Sequence, residues 1–391
     1  MAELAELLVR TPLAGRALPA RPSRVLMTAD TIGGVFTYAV ELCRGLAAHD
    51  VYVVLATMGA RLTRAQRAAV SALANVALYE SDYRLEWMES PWRDVDAAGD
   101  WLMQLEATHA PDVVHLNGYA HGALPWRAPA LVVAHSCVLS WWQAVKGEDA
   151  PPAWRTYGRR VAAGLGRADL VVAPSNAMLH AVERLYGRLA RKRVIHTGRA
   201  PHALRPGPKE PLVLSTGRLW DEAKNLAALR ACRALLPWPV YVAGAMHPPG
   251  HGRDGGPAPA SWAGIHVLGA LAPEEVAVWL ARAAIYALPA RYEPFGLSVL
   301  EAALSGCALV LGDIDSLREV WGDAAVFVPP DDPERLAGAI SALAHDPARR
   351  ARLAGQAGER ALRYAAERMT RDYLDAYGQL MRAPLSHRAA L

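Results

Sequence analysis

The chain has 391 residues, 52% apolar and 20% charged, with 42 basic and 38 acidic side chains for a net charge of +4. That length exceeds what one hydrophobic core usually organises, so two domains are the default expectation. The composition excludes a disordered chain, and so small a net charge gives no support to a nucleic-acid binder, which would show a basic run or stripe.

Residues 1–23 break their short apolar runs with Glu3, Glu6 and Arg10, and read as a flexible tail and not as a secretory signal. From there, short β-branched runs alternate with helical patterns, as in a parallel sheet covered by helices on both faces. The first half predicts strands over 24–29, 51–56, 76–79, 112–116, 131–134 and 169–173, with helices over 35–47, 62–74 and 153–165. Residues 196–211 (HTGRAPHALRPGPKEP) have no strand or helix period and read as an interdomain linker. The alternation restarts with strands over 212–215, 240–243, 265–268, 285–288, 308–311 and 325–328, interrupted by a Gly/Pro-rich loop over 247–262. Two amphipathic helices over 347–364 and 367–381 close the pattern, and 384–391 read as a frayed end. The fold class is therefore α/β, with two facing Rossmann-like domains over 24–200 and 201–365, a cleft between them, and a terminal segment over 366–391. In such sheets ligands bind beyond the carboxyl ends of the strands.

Cys43, Cys137, Cys232 and Cys307 are scattered without metal-type spacing and read as buried small side chains in a reducing compartment. No charge-free apolar stretch reaches the roughly 20 residues that span a bilayer. A cytoplasmic protein is expected.

The most informative motif is RYEPFGLSVLE, residues 291–301. A strand ends before it, Glu293 sits in a loop, and a helix begins near Gly296. Unpaired N–H groups at a helix start suit a phosphate, and Gly296 has no side chain to block its approach. Glu293 and Glu301 are eight positions apart, about 12 Å along a helix, which suits two acceptors gripping opposite ends of a nucleotide sugar. An ordinary loop Glu and a solvated helix Glu are the bland alternative. Against it, Glu301 lies in the apolar run GLSVLEAALSG, where an unpaired carboxylate is costly.

The second motif, STGRLWDEAKN over 215–225, follows the first strand of the second domain. Arg218 and Lys224 can bracket a diphosphate and stabilise it as a leaving group, unless they merely pair with Asp221 and Glu222. In the first domain Asp30-Thr-Ile-Gly33-Gly34 is a glycine loop entering a helix, short of a full dinucleotide fingerprint. His135 and Ser136 end one strand at the cleft, and His115 and Asn117 end another as weaker candidates. Asp94-Val-Asp96 and Asp313-Ile-Asp315 are Asp-x-Asp pairs, a spacing that can hold a divalent cation. Asp315 precedes a short helix, so capping is the better reading, as for Asp331 and Asp332 before Pro333. No metal site is expected.

Together these residues resemble the family 4 glycosyltransferases, retaining enzymes of the GT-B fold, from about Arg24 to the C-terminal helices. The resemblance implies that Arg218 and Lys224 hold the donor diphosphate, that Glu293 contacts the transferred sugar, and that Glu301 contacts the ribose. Backbone at Phe295, Gly296 and Leu297 would add contacts, Gly33 and Gly34 would approach the donor, and His135 would sit near the reacting sugar. It also implies a metal-independent hexosyltransferase without a cofactor, and a last helix crossing back onto the first domain. A non-catalytic sugar-nucleotide-binding homologue and a GT-B-like sugar-nucleotide epimerase are the rival readings.

The acceptor is least legible. Trp87, Trp92, Trp101, Trp126, Trp141, Trp142 and Trp154, several outside clear elements, could line a sugar or lipid site or simply pack the core. Arg61, Arg64 and Arg67, with Arg188, Arg191, Lys192 and Arg193, could rest on the anionic inner face of a membrane or be solvated faces. The expectation is a glycan or lipid-linked acceptor in cell-surface polysaccharide or glycolipid synthesis, with peripheral membrane contact.

Overall fold

The structure, a computed structural model, describes residues 21–201, 204–247 and 262–382. Residues 1–20 of the tail expected over 1–23, most of the 247–262 loop and the end expected over 384–391 lie outside these described residues.

The first sheet contains β1 (Arg24–Asp30), β2 (Tyr52–Met58), β3 (Val76–Glu80), β4 (Val113–Leu116), β5 (Ala130–Val133), β6 (Leu170–Ala173) and β7 (Lys192–Val194). All pair in parallel, in the order β3-β2-β1-β4-β5-β6-β7. The helices are α1 (Gly34–Ala47), α2 (Arg64–Ser71), α3 (Trp92–His109), α4 (Val138–Lys146), α5 (Arg155–Arg167) and α6 (Asn176–Tyr186). Burial on both faces explains the unbroken apolar runs. Along β1, Val25, Met27 and Ala29 enter a core with Phe36 and Leu42 of α1, while Leu26 enters another with Leu102 of α3 and Val161 of α5.

The second sheet runs β10-β9-β8-β11-β12-β13, also parallel. Its strands are β8 (Glu210–Thr216), β9 (Val240–Ala243), β10 (His266–Gly269), β11 (Ala283–Leu288), β12 (Ala308–Gly312) and β13 (Val326–Val328). They are covered by α7 (Leu226–Cys232), α8 (Pro273–Arg282), α9 (Leu297–Leu304), α10 (Asp315–Trp321), α11 (Pro333–His345) and α12 (Pro347–Ala361). The last helix, α13 (Ala366–Arg382), leaves this domain and completes the core of the first, where Met369, Tyr373, Leu374 and Tyr377 pack with α1. The helices meet at Gly45, where a Cβ would lie 1.9 Å from Thr370 Oγ1.

Several local expectations need correction. The α3, α4 and α6 helices and β7 were not anticipated. Trp92 and Trp101 lie on α3, and Trp141 and Trp142 on α4, so these are helical residues and not loop aromatics. The α2 helix is shorter than 62–74 because Thr63 caps it, accepting from Gln66 N–H while the Gln66 side chain accepts from Thr63 N–H. The segment over 196–211 is no loose linker. Thr197, Ala200 and Leu204 are buried, His196 lies against Phe295 and Tyr364, and Arg199 pairs with Ala365 beside the chain's return to α13. Glu210 already belongs to β8.

Asp315 is the first helical residue of α10, whose N-cap, Ile314, makes no side-chain cap. Its charge can act only through the positive helix end. Asp332 does cap α11, accepting from Arg335 N–H at 2.9 Å, but Asp331 pairs with Arg291. All four cysteines are free and buried.

Candidate active site

In each sheet the winding reverses between two neighbouring strands, β1 and β4 in the first and β8 and β11 in the second. Crevices open beyond the carboxyl ends of such pairs. Asp30 ends β1 and Thr31 to Gly34 follow it, Asn117 follows β4, Arg218 to Lys224 follow β8 and Glu293 follows β11. The two glycine and cation loops and Glu293 thus leave their sheets at the two reversal points, while His135 follows β5, one strand further on, and Glu301 lies inside α9.

The reversal points face each other closely. A methyl group built on Gly33 would lie 3.5 Å from Arg218 Nη1, and one on Gly34 would lie 3.6 Å from Leu297 Cδ2. Gly33 is the N-cap of α1 at φ 96°, and Gly296 is the N-cap of α9 at φ 91°, neither with a side-chain cap. Two helix N-termini therefore approach one spot with a guanidinium beside them, a ready anion site.

On the second domain, Arg218 Nη2 donates to Asp221 Oδ2 at 2.6 Å and its guanidinium lies 5.3 Å from the Trp220 ring centre. Burial opposes ionisation of Asp221, but Arg218, Lys224 and the Ala223 N–H outweigh it and hold its carboxyl below the usual range. Lys224 pairs with Glu293, whose other oxygen accepts Gly296 N–H at 3.0 Å. Glu293 therefore joins the cation loop to the start of α9. Asn225 is structural: at φ 54°, its amide donates to Pro289 O at 2.8 Å and Pro330 O at 2.7 Å.

Glu301 is not alone in its apolar helix. Arg199 Nε lies 3.1 Å from it, while Arg199 Nη1 reaches buried Glu41 at 2.6 Å. Burial raises its carboxyl pKa and Arg199 opposes that rise. Its side chain stays 17% exposed. Phe295 is buried under the loop.

On the first domain, His135 is half-buried at the end of β5, with Nε2 2.7 Å from Asn117 Oδ1, and desolvation lowers its pKa to about 3. Sequence alone did not single out Asp30, a first-domain carboxylate beside Arg218. Asp30 accepts Ile32 N–H at 2.6 Å and Trp87 Nε1–H at 3.3 Å, and burial raises its pKa to about 7. Its position at a strand end was the available signal, masked by the glycines beside it.

The residues that join the domains were missed as well. Tyr292 OH accepts Cys137 N–H at 2.9 Å and lies 2.8 Å from Ser140 Oγ. Trp141 Nε1 donates to Asp221 at 3.2 Å, Lys146 pairs with Glu222 at 2.6 Å, and Glu319 accepts the N–H groups of Asn176 and Ala177 at the start of α6. The Asp-x-Asp pairs are engaged elsewhere, Asp96 with Arg160 and Asp313 with Arg318. The basic clusters sit among acids, Arg67 with Glu80, Lys192 with Glu183 and Arg193 with Asp372. No described helix is long and apolar enough to cross a membrane.

The family described as Glycosyltransferase Family 4 matches residues 32–201, and the one described as Glycosyl transferases group 1 matches residues 210–346. The chain belongs to the family 4 glycosyltransferases. Among relatives of this glycosyltransferase, a D-inositol 3-phosphate glycosyltransferase of Nocardioides is 25% identical over 88% of the chain and 85% of that protein. A glycogen synthase of Mycobacterium tuberculosis is 38% identical, but the match spans 27% of the chain and only 24% of that protein. Among solved structures, the sucrose-phosphate synthase of Thermosynechococcus elongatus superposes with a TM-score of 0.76 at 20% identity, over 92% of this chain and all 100% of that one. Anabaena HepE in complex with UDP-glucose superposes with a TM-score of 0.73 at 16% identity, over 91% and 99%. The two facing sheets have the GT-B fold.

Proposed function

We propose that this glycosyltransferase moves a hexose from a nucleotide-diphosphate sugar to a hydroxyl of a glycan or lipid-linked acceptor, with retention of anomeric configuration and without a metal ion. The observation that carries the proposal is the meeting of the α1 and α9 N-termini with Arg218 at one point of the cleft, beside Lys224 and Glu293. Preorganised donors aimed at a leaving diphosphate stabilise the charge that develops as the glycosidic bond breaks.

In this reading Arg218 and Lys224 hold the diphosphate, with backbone at Phe295, Gly296 and Leu297. Gly33 and Gly34 let the first domain close on it. Glu293 contacts the transferred sugar, Glu301 the ribose, and His135 the reacting face. The leaving phosphate takes the acceptor proton on the face it departs from. HepE, solved with UDP-glucose, supports a nucleotide sugar as donor. Half-buried Trp87 and Trp141 beside the cleft support an acceptor with a ring to stack, and peripheral contact with an anionic membrane is part of the acceptor proposal.

A panel of nucleotide sugars screened by thermal shift, followed by transfer assays with and without chelator, tests this reading. The expected result is chelator-resistant transfer with the donor's anomeric configuration kept in the product by NMR. Loss of activity restored by a divalent ion, or an inverted product, would overturn it.

A further inference from the structure

A line of hydrogen bonds reaches His135 from the terminal helix α13. Its centre is Asn117. The Asn117 amide orientation follows from its partners: Nδ2–H donates to Thr28 O at 2.6 Å, and the backbone N–H donates to Thr28 Oγ1 at 2.9 Å. Oδ1 is thereby turned to the histidines, and an amide oxygen only accepts.

His135 Nε2, 2.7 Å from that oxygen, must carry the proton, which leaves Nδ1 with the lone pair. His135 Nδ1 makes no hydrogen bond to a described residue. His115 Nε2 lies 3.2 Å from the same Asn117 oxygen and 3.2 Å from Tyr38 OH. If Nε2 donates there, His115 Nδ1 is the acceptor that Tyr377 OH needs, at 2.6 Å. The Tyr377 hydroxyl then has its acceptor. The Tyr38 ring stands edge-on to His135 at 4.6 Å and fixes its plane.

We propose that Asn117 is a positioning residue that holds His135 in the neutral Nε2–H form, so that Nδ1 accepts a hydrogen bond from a hydroxyl of the transferred sugar. Thr28 sets that polarity, and Tyr377 from α13 holds His115 of β4 against the same amide oxygen. This rests on reading the cleft as a sugar-transfer site. His135 then neither donates to the sugar through its ring nor exchanges a proton during transfer. Burial agrees with this, holding both imidazoles neutral with pKa values of about 3, that of His115 further lowered by its neighbour His135. The titratable groups facing the pair are Tyr38 from α1 and Tyr373 and Tyr377 from α13, all kept un-ionised by burial.

The test has two arms on the full chain. Nitrogen-15 NMR of labelled histidines should find His135 with a protonated Nε2 and a bare Nδ1 across pH 5–8. A protonated Nδ1, or an imidazolium at pH 6, overturns the proposal. In the second arm, Asn117→Asp places a carboxylate on His135, which favours the imidazolium and should move the acid limb of kcat/KM up by about 1–3 pH units. A profile of unchanged shape in a folded variant overturns the proposal as well. If the wild-type chain turns over no nucleotide sugar, the sugar-transfer reading fails and the sugar contact fails with it. The NMR arm needs no turnover and still decides the tautomer.

Discussion

At the cleft the two domains use opposite chemistry. The second presents charge, Arg218 with Asp221 and Lys224 with Glu293, each cation held by a carboxylate of its own domain. The first presents neutral groups, the His135 imidazole and the Asn117 amide, backed by tyrosines that burial keeps un-ionised. A leaving diphosphate needs positive charge already in place, whereas a sugar ring needs shape and the right hydrogen-bond polarity. The fold is duplicated, but the strand ends are specialised.

Removing charge from the second domain should break this comparison most severely. Arg218→Ala or Lys224→Ala should cost about 3 kcal/mol of transition-state stabilisation, roughly a hundredfold in turnover at saturating donor. Folded variants that keep near-normal turnover would mean that the leaving group is served by something else.

A smaller effect should come from the contact that joins the halves. Tyr292→Phe leaves the Cys137 N–H without its acceptor and should cost about 1–2 kcal/mol, read as a roughly tenfold rise in donor KM with kcat changed less. Unchanged constants would show that the domains meet without it.

The smallest effect sharpens the contrast from the first domain, whose cleft carboxylate Asp30 is poorly ionised. Its folded pKa of about 7 lies above the unfolded value of 3.8, so the unfolded chain gives up the proton first as pH rises. Asp30 therefore destabilises the fold increasingly between those values. Asp30→Asn should raise the unfolding free energy from denaturant titration at pH 8, by on the order of 1 kcal/mol for this partly exposed group, and leave it unchanged at pH 3. A gain of equal size at both pH values would show that burial of charge is not the cause.

Much of the site was legible because its motifs are local. RYEPFGLSVLE places Glu293 ahead of a glycine-capped helix whatever surrounds it, and STGRLWDEAKN puts two cations in one loop. Helices such as α3 and α4 were harder to read. Trp92, Trp141 and Trp142 interrupt a simple apolar stripe, and their partners, Arg160 beneath Trp92 and Asp221 beyond Trp141, come from distant segments. Arg199 looked like part of a linker because nothing near it in sequence reveals Glu41 and Glu301 on either side.

The order of residues by itself determined two strand–helix alternations and the loops that end in Gly33, Arg218 and Glu293, since hydrophobic period and turn chemistry act within a few positions. Tertiary structure alone decided which strands are neighbours at β1/β4 and β8/β11, which α13 side chains complete the first core, and how His135 is held. Those outcomes depend on groups that meet only after folding: His115 and Tyr377 share a hydrogen bond across 262 positions of chain, a distance over which no local pattern acts.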